Sequence, residues 1–327
     1  MLGEQVRCHQ LQYRLTKHHQ PASLSPIANK YKQQHHHHQV DIRKEIHPSL
    51  QFSVEILKNM EKTQESGAAA VLCRSPPLEA VLFDIDGTMC VSDPFHHRAF
   101  SEMLQELGYN GGVPITPEFG RTHMAGRSNE QIGRFLFPDW PPARVDAFFA
   151  EKEALFARYA RQGLREVPGL GELCRWAGQR GLKRAAVTNA PRPNAELMID
   201  VLGLSEFFQV VVCGEECGVG RSKPAPDAYL RALELLGAGA GRAVVFEDSV
   251  IGIRAGVAAG MPVVAIAEEG REAKVVAAGA SLVVRDYRDA RLLAALEAAA
   301  AAAGGGPEAV GGERSVDLEE PAVPVAN

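Results

Sequence analysis

The chain has 327 residues, 46% of them hydrophobic, with a formal net charge of -5. That length suffices for one large domain or two ordinary ones with a buried core, and so mild an acidity gives no sign of a nucleic-acid or membrane surface. No apolar run approaches a membrane span, and the cysteines (Cys8, Cys73, Cys90, Cys174, Cys213, Cys217) include no Cys-x-x-Cys pair, which suits a reducing compartment.

In chain order, residues 1–75 form a basic, Gln- and His-rich stretch with His35, His36, His37 and His38 in a row. It reads as a disordered extension, with a metal-binding tract as an alternative. Met60 opens a more ordinary leader, so residues 1–59 stand apart. The expected location is the cytoplasm, or a plastid or other organelle if residues 1–59 act as a transit peptide.

The most informative stretch follows. Apolar residues from Leu78 to Phe83 end in Asp84-Ile85-Asp86-Gly87-Thr88. This reads as a buried parallel strand over 79–84 with two carboxylates at its carboxyl end, where open α/β sheets bind ligands. A calcium loop is the competing reading, but Met89, Cys90 and Val91 supply none of its further ligands. Residues 90–165 then hold only helical patterns, at Pro94–Leu107 (with Asp93 as its cap), Asn129–Phe137 and Ala143–Arg161. A helical module inserted after the first strand accounts for them.

From there strands at 184–188, 209–213, 243–247, 262–266 and 281–284 alternate with helices at 169–180, 193–202, 225–237 and 249–259. That rhythm predicts an α/β fold with a doubly wound parallel sheet. Residues 298–327, rich in Ala and Gly and then acidic, read as a disordered tail.

Three signals sit at later strand ends: Thr188-Asn189, Lys223 between Ser222 and Pro224, and Glu247-Asp248-Ser249. Taken singly they read as a turn, a surface lysine and a helix cap. A parallel sheet brings them to one edge, where Asp84, Asp86, Glu247 and Asp248 share a crevice. Two unit charges about 4 Å apart repel by roughly 4 kcal/mol at an effective dielectric of about 20. A cation or protons must offset that repulsion, and oxygen ligands favour Mg2+. With Lys223 as a second positive charge and Thr188 as a donor, the set describes a phosphoryl-transfer site with a carboxylate nucleophile. Gly214–Ser222 resembles a nucleotide-binding glycine loop but has one residue too many and Arg221 in place of Lys. Cys213 and Cys217 lack the partners of a metal set.

Asp-Ile-Asp-Gly-Thr (84–88), Val-Thr-Asn (187–189), Lys-Pro-Ala-Pro-Asp (223–227) and Phe-Glu-Asp-Ser (246–249) resemble the four ordered motifs of the haloacid dehalogenase superfamily. Within it the chain is similar to the β-phosphoglucomutase-like branch, and the wording of 182–191 and 255–262 is closer still to plant broad-range sugar-phosphate phosphatases. The resemblance implies a Rossmann-like core at 76–89 and 166–297 with a small helical cap at 90–165. It implies Asp84 as nucleophile and Asp86 as general acid and base, with Asp84 ionised and Asp86 able to hold a proton. Mg2+ would be held by Asp84, the Asp86 carbonyl and Asp248, with Glu247 in support. Thr188 and the Asn189 amide would bind phosphate while Lys223 balances its charge. His96 falls at a cap-hinge histidine position, and Gly126 and Arg127 on the cap loop that faces the substrate. The mutase places an arginine where this chain has Asn129.

The expectation is a broad-range phosphatase of small sugar phosphates, a small-molecule enzyme with no nucleic-acid or membrane partner and most simply a monomer. A hexose-phosphate mutase and a non-catalytic sugar-phosphate sensor are the alternatives.

Overall fold

The computed structural model describes residues 72–301 apart from Pro76. The His tract, Met60 and residues 302–327 lie outside the described residues. Six strands form one sheet: β1 (Ala80–Phe83), β2 (Lys183–Thr188), β3 (Val210–Cys213), β4 (Ala243–Glu247), β5 (Val263–Ile266) and β6 (Leu282–Val284). Their order is β3-β2-β1-β4-β5-β6, and every pairing is parallel. All six expected strands are present, each within about one residue of its expected ends.

β1 is fully buried along its length because helices cover both faces of the sheet. Its side chains alternate between two cores. Val81 and Phe83 join Val244 and Phe246 on one face, where the Phe83 and Phe246 rings stack at 4.7 Å. Ala80 and Leu82 join Ala185, Val187 and Val245 on the other.

Five α-helices lie between β1 and β2, and the first four form the insertion: α1 (Asp93–Glu106), α2 (Pro117–His123), α3 (Asn129–Leu136) and α4 (Pro142–Gly163). They enclose a core of their own, built by Phe100, Met103 and Leu104 of α1, Ile132 and Leu136 of α3, and Phe148 and Phe149 of α4. Sequence periodicity missed α2, whose seven residues include Gly120 and bury no side chain. The cap position of α1 is Ser92, which makes no side-chain capping hydrogen bond, and Asp93 is the first helical residue.

The remaining helices are α5 (Leu170–Gln179), α6 (Arg192–Val201), α7 (Asp227–Leu236), α8 (Val250–Ala258), α9 (Glu272–Ala277) and α10 (Ala290–Ala301). Both ends of the core differ from the expected boundaries. Leu72 and Cys73 are buried, and α10 continues to Ala301 with Ala299 fully covered. The Leu78 amide donates to the Ala299 carbonyl (3.0 Å), which ties the two ends together. Among the described residues no helix is long and apolar enough to cross a membrane.

Candidate active site at the strand ends

Phe83 is in register with Ala186 and Phe246, so the next residues of the three neighbouring strands, Asp84, Val187 and Glu247, stand level. This is the centre of the sheet, where chain order reverses direction and α/β sheets open a crevice. Lys223 reaches it from the loop after β3. Its ammonium is 1% exposed and donates to Asp84 Oδ1 (2.6 Å), Glu247 Oε1 (2.7 Å) and the Val187 carbonyl (2.7 Å). All three donors are thereby used. Burial works against its charge, but Asp84 and Glu247 outweigh that and raise its pKa.

Glu247 sits beneath the start of α8. Its Oε1 also accepts from Tyr229 Oη (3.0 Å), and its Oε2 accepts from the amides of Asp248 and Ser249 and from Ser249 Oγ, each at 3.1 Å. Only glycine fits at 252, since a Cβ there would stand 1.6 Å from Glu247 Oε1. Ser249 caps α8 as expected, accepting from the Gly252 amide.

Asp84, Glu247 and Asp248 each offer an oxygen within 4.8 Å of the others, the one group of this kind found among the described residues. Thr88 Oγ1 lies 3.4 Å from both Asp84 Oδ2 and Asp248 Oδ1. Burial first, then the charge of Glu247, pushes Asp84 up to about 8 against the pull of Lys223. The same two causes raise Asp248 well above the usual carboxylate range. Three neighbouring carboxyl groups, two of them bonded to one ammonium, thus leave a deficit of positive charge. At Gly87 (φ +74°) a Cβ would lie 2.5 Å from Asp248 Oδ2, so glycine permits the close approach of these carboxyls.

Asp86 turns the other way. Its Oδ1 lies 2.9 Å from His96 Nε2, and the His96 ring stacks on Phe156 at 3.8 Å. His96 Nδ1 is 3.0 Å from the ammonium of Lys152, which is 2% exposed and bonds both oxygens of Glu153 at 3.0 Å. Glu153 in turn accepts from Asn129 (2.8 Å) and from Asn194 of α6 (2.5 Å). Burial raises Asp86, but the charge and hydrogen bond of His96 outweigh it and hold the carboxyl below its ordinary value. The two aspartates therefore meet different surroundings. Asp84 shares its burial with two other carboxyls, whereas Asp86 faces His96 and Lys152.

Thr188 Oγ1 accepts from the Ala190 amide (3.0 Å). The Asn189 side chain donates to the Gly126 carbonyl (2.8 Å) and the Lys223 carbonyl (3.2 Å) and accepts from the Lys223 amide (3.0 Å). Gly126 (φ +74°) packs so closely that a Cβ would lie 2.7 Å from Ser249 Oγ. Arg127 donates to the Thr122 carbonyl (3.1 Å). Asp84, Asp86, His96, Gly126, Arg127, Thr188, Asn189, Lys223 and Asp248 all line one cleft of about 540 Å³ between the sheet edge and the inserted helices. Glu247 lies behind it.

Sequence reading missed Lys152, Glu153, Gln131 and Tyr229. The first two look like solvated charges in Glu151-Lys152-Glu153, and only packing of α4 against α1 buries them. The five described cysteines are free thiols, and burial raises Cys213 to about 12. Neither Cys213 nor Cys217 belongs to the metal-competent group.

The comparisons with known proteins agree with this arrangement. Protein CbbY of Cereibacter sphaeroides is 32% identical over 191 residues, covering 56% of this chain and 82% of that one. The phosphorylated carbohydrates phosphatase of Thermotoga maritima is 29% identical, covering 56% and 82%. The crystal structure of CbbY from Rhodobacter sphaeroides in complex with phosphate superposes with a TM-score of 0.59 at 29% identity, over 67% of this chain and 99% of that one. The profile of the haloacid dehalogenase-like hydrolases matches residues 78–260. With four motif segments on one sheet edge and a profile match over more than half its length, the chain belongs to the haloacid dehalogenase-like hydrolases.

Proposed function

We propose that this chain is a magnesium-dependent phosphatase of broad range, acting on small sugar phosphates through an aspartyl-phosphate intermediate on Asp84. The observation that carries this reading is the opposed setting of two aspartates on one turn: Asp84 held by Lys223 beside Glu247 and Asp248, and Asp86 held by His96 across the cleft. Relatives named as phosphatases support it, phosphorylated carbohydrates phosphatase among them.

The residues fit a hard divalent cation. Asp84 and Asp248 offer oxygens to the cleft, positive charge is lacking, and Gly87 removes the side chain that would crowd them. Mg2+ would be held by Asp84, Asp248 and the Asp86 carbonyl, and would neutralise charge on the phosphate and on Asp84. Glu247 accepts five hydrogen bonds from the protein and supports from behind, fixing Lys223 and the turn that carries Asp248.

In the first step an Asp84 carboxylate oxygen attacks phosphorus, and the P–O bond to the sugar breaks. In the form that carries a proton, Asp86 gives it to the departing oxygen. Asp86 then takes a proton from water, whose oxygen attacks phosphorus and releases inorganic phosphate with Asp84 regenerated. Thr188 and the Asn189 amide bind the transferring group while Lys223 offsets its charge. The cap, residues 90–165, closes over the leaving group, with Gly126 and Arg127 on its inner wall. Asn129 gives its amide to Glu153 and brings no positive charge for a second phosphate, which favours hydrolysis over a mutase cycle. The setting is a monomer in the cytoplasm, or in a plastid if residues 1–59 address it there.

Phosphate release from a panel of sugar phosphates, with Mg2+ and with chelator, tests the reading. Turnover of several substrates that needs Mg2+ and falls at least about a thousandfold in Asp84→Asn is expected. Isomerised hexose phosphate without release would favour the mutase.

A further inference from the structure

The lysine that bonds Asp84 hangs on an exposed turn. Gly218 (φ +101°) and Gly220 (φ +75°) flank Val219, which is 85% exposed, and two residues later Ser222 and Lys223 are buried. Glycines with open backbone conformations leave such a turn little rigidity of its own. Three hydrogen bonds fix the Lys223 backbone where the turn ends. Its amide donates to Asn189 Oδ1, and its carbonyl accepts from Asn189 Nδ2 (3.2 Å) and from Gln131 Nε2 (3.1 Å). Gln131 Nε2 is also 3.4 Å from Ser222 Oγ. Asn189 belongs to the sheet edge, but Gln131 belongs to α3 in the cap. The other end of its amide accepts from the Ser128 amide (3.0 Å) and closes the capping box of α3. Asn129 and Ile132 line the cleft while Gln131 does not, so any effect of Gln131 on the reaction passes through what it holds.

We propose that Gln131 is a positioning residue: seating of α3 on the core places its amide on the Lys223 carbonyl and so couples cap closure to the placement of the lysine against Asp84. The kinetic side of this inference rests on the phosphatase reading, and the structural side stands without it.

Two variants of the full chain separate the clasp from the helix cap. Gln131→Leu removes both ends of the amide. Gln131→Glu keeps the oxygen that accepts from Ser128 and loses the donor to Lys223. In both, kcat should fall about five- to tenfold, one hydrogen bond's worth, by the same factor for a hexose phosphate, glycerol phosphate and p-nitrophenyl phosphate, with KM little changed. Trypsin should also cut after Arg221 several-fold faster in both variants than in the parent. Unchanged kcat with unchanged cleavage would overturn the proposal. So would a loss confined to Gln131→Leu, which marks a helix cap, or a KM change that differs among substrates, which marks a cleft wall. If the parent releases no phosphate, the phosphatase reading fails, and the trypsin comparison still decides the clasp.

Discussion

Asp84 and Asp86 are two residues apart and meet different partners, so their acidities separate. For Asp86 the partner is His96, whose charge and hydrogen bond overcome burial and keep the carboxyl low. Replacing His96 by Gln removes that imidazole, so the Asp86 pKa rises. Because Asp86 must be protonated to serve the leaving group, the pH–rate limb that reports it should move to higher pH in His96→Gln, as measured on kcat/KM. An unmoved limb would remove Asp86 from the acid role. Asp84, Asp86 and Asp248 were legible in the sequence because they follow strand ends in short, chemically unusual segments, and Lys223 because it sits in a Ser-Lys-Pro-Ala-Pro segment after β3. Lys152 and Glu153 were not, since a charged helical triplet looks the same whether solvent or Phe100 covers it. Here the Lys152 ammonium lies 4.4 Å from the Phe100 ring centroid.

At the scale of the element, α8 shows how a helix start shapes the site. Ser249 caps it, the amides of Asp248 and Ser249 just ahead of it bond Glu247, and Gly252 leaves the space that the Glu247 carboxyl fills. Gly252→Ala should therefore destabilise the fold by about 3 kcal/mol, combining overpacking with a displaced buried charge. A thermal or urea unfolding series would show it, and a change below about 0.5 kcal/mol would mean that Glu247 has room elsewhere. The strands were readable because both sheet faces are covered, which leaves apolar runs such as Val263–Ile266, although β2 opens on Lys183 and Arg184. By composition the Ala-rich end of α10 resembles a tail, although Ala299 packs as fully as Leu296. Small side chains bury well against a close neighbour, and composition does not reveal the neighbour.

For the whole molecule, Glu153 joins α3 and α4 of the cap to α6 of the core through Asn129 and Asn194. Burial opposes its charge, but Lys152, His96 and Asn129 prevail and lower its pKa. A lowered carboxylate stabilises fully above its unfolded value and loses that contribution as pH falls through the folded one. The parent should thus lose stability more steeply than Glu153→Gln in the acid range below about pH 4.5. Near pH 7 the variant should be less stable by about 3 kcal/mol, because buried Lys152 loses its carboxylate. Parallel slopes in acid would place the acid sensitivity elsewhere. Acid quench during turnover of a hexose phosphate, followed by peptide mass mapping, shows whether Asp84 carries the phosphoryl group. One added phosphoryl group is expected on the peptide containing Asp84, absent in Asp84→Asn. Phosphate released with no phosphorylated peptide, or with the group on another residue, would contradict it.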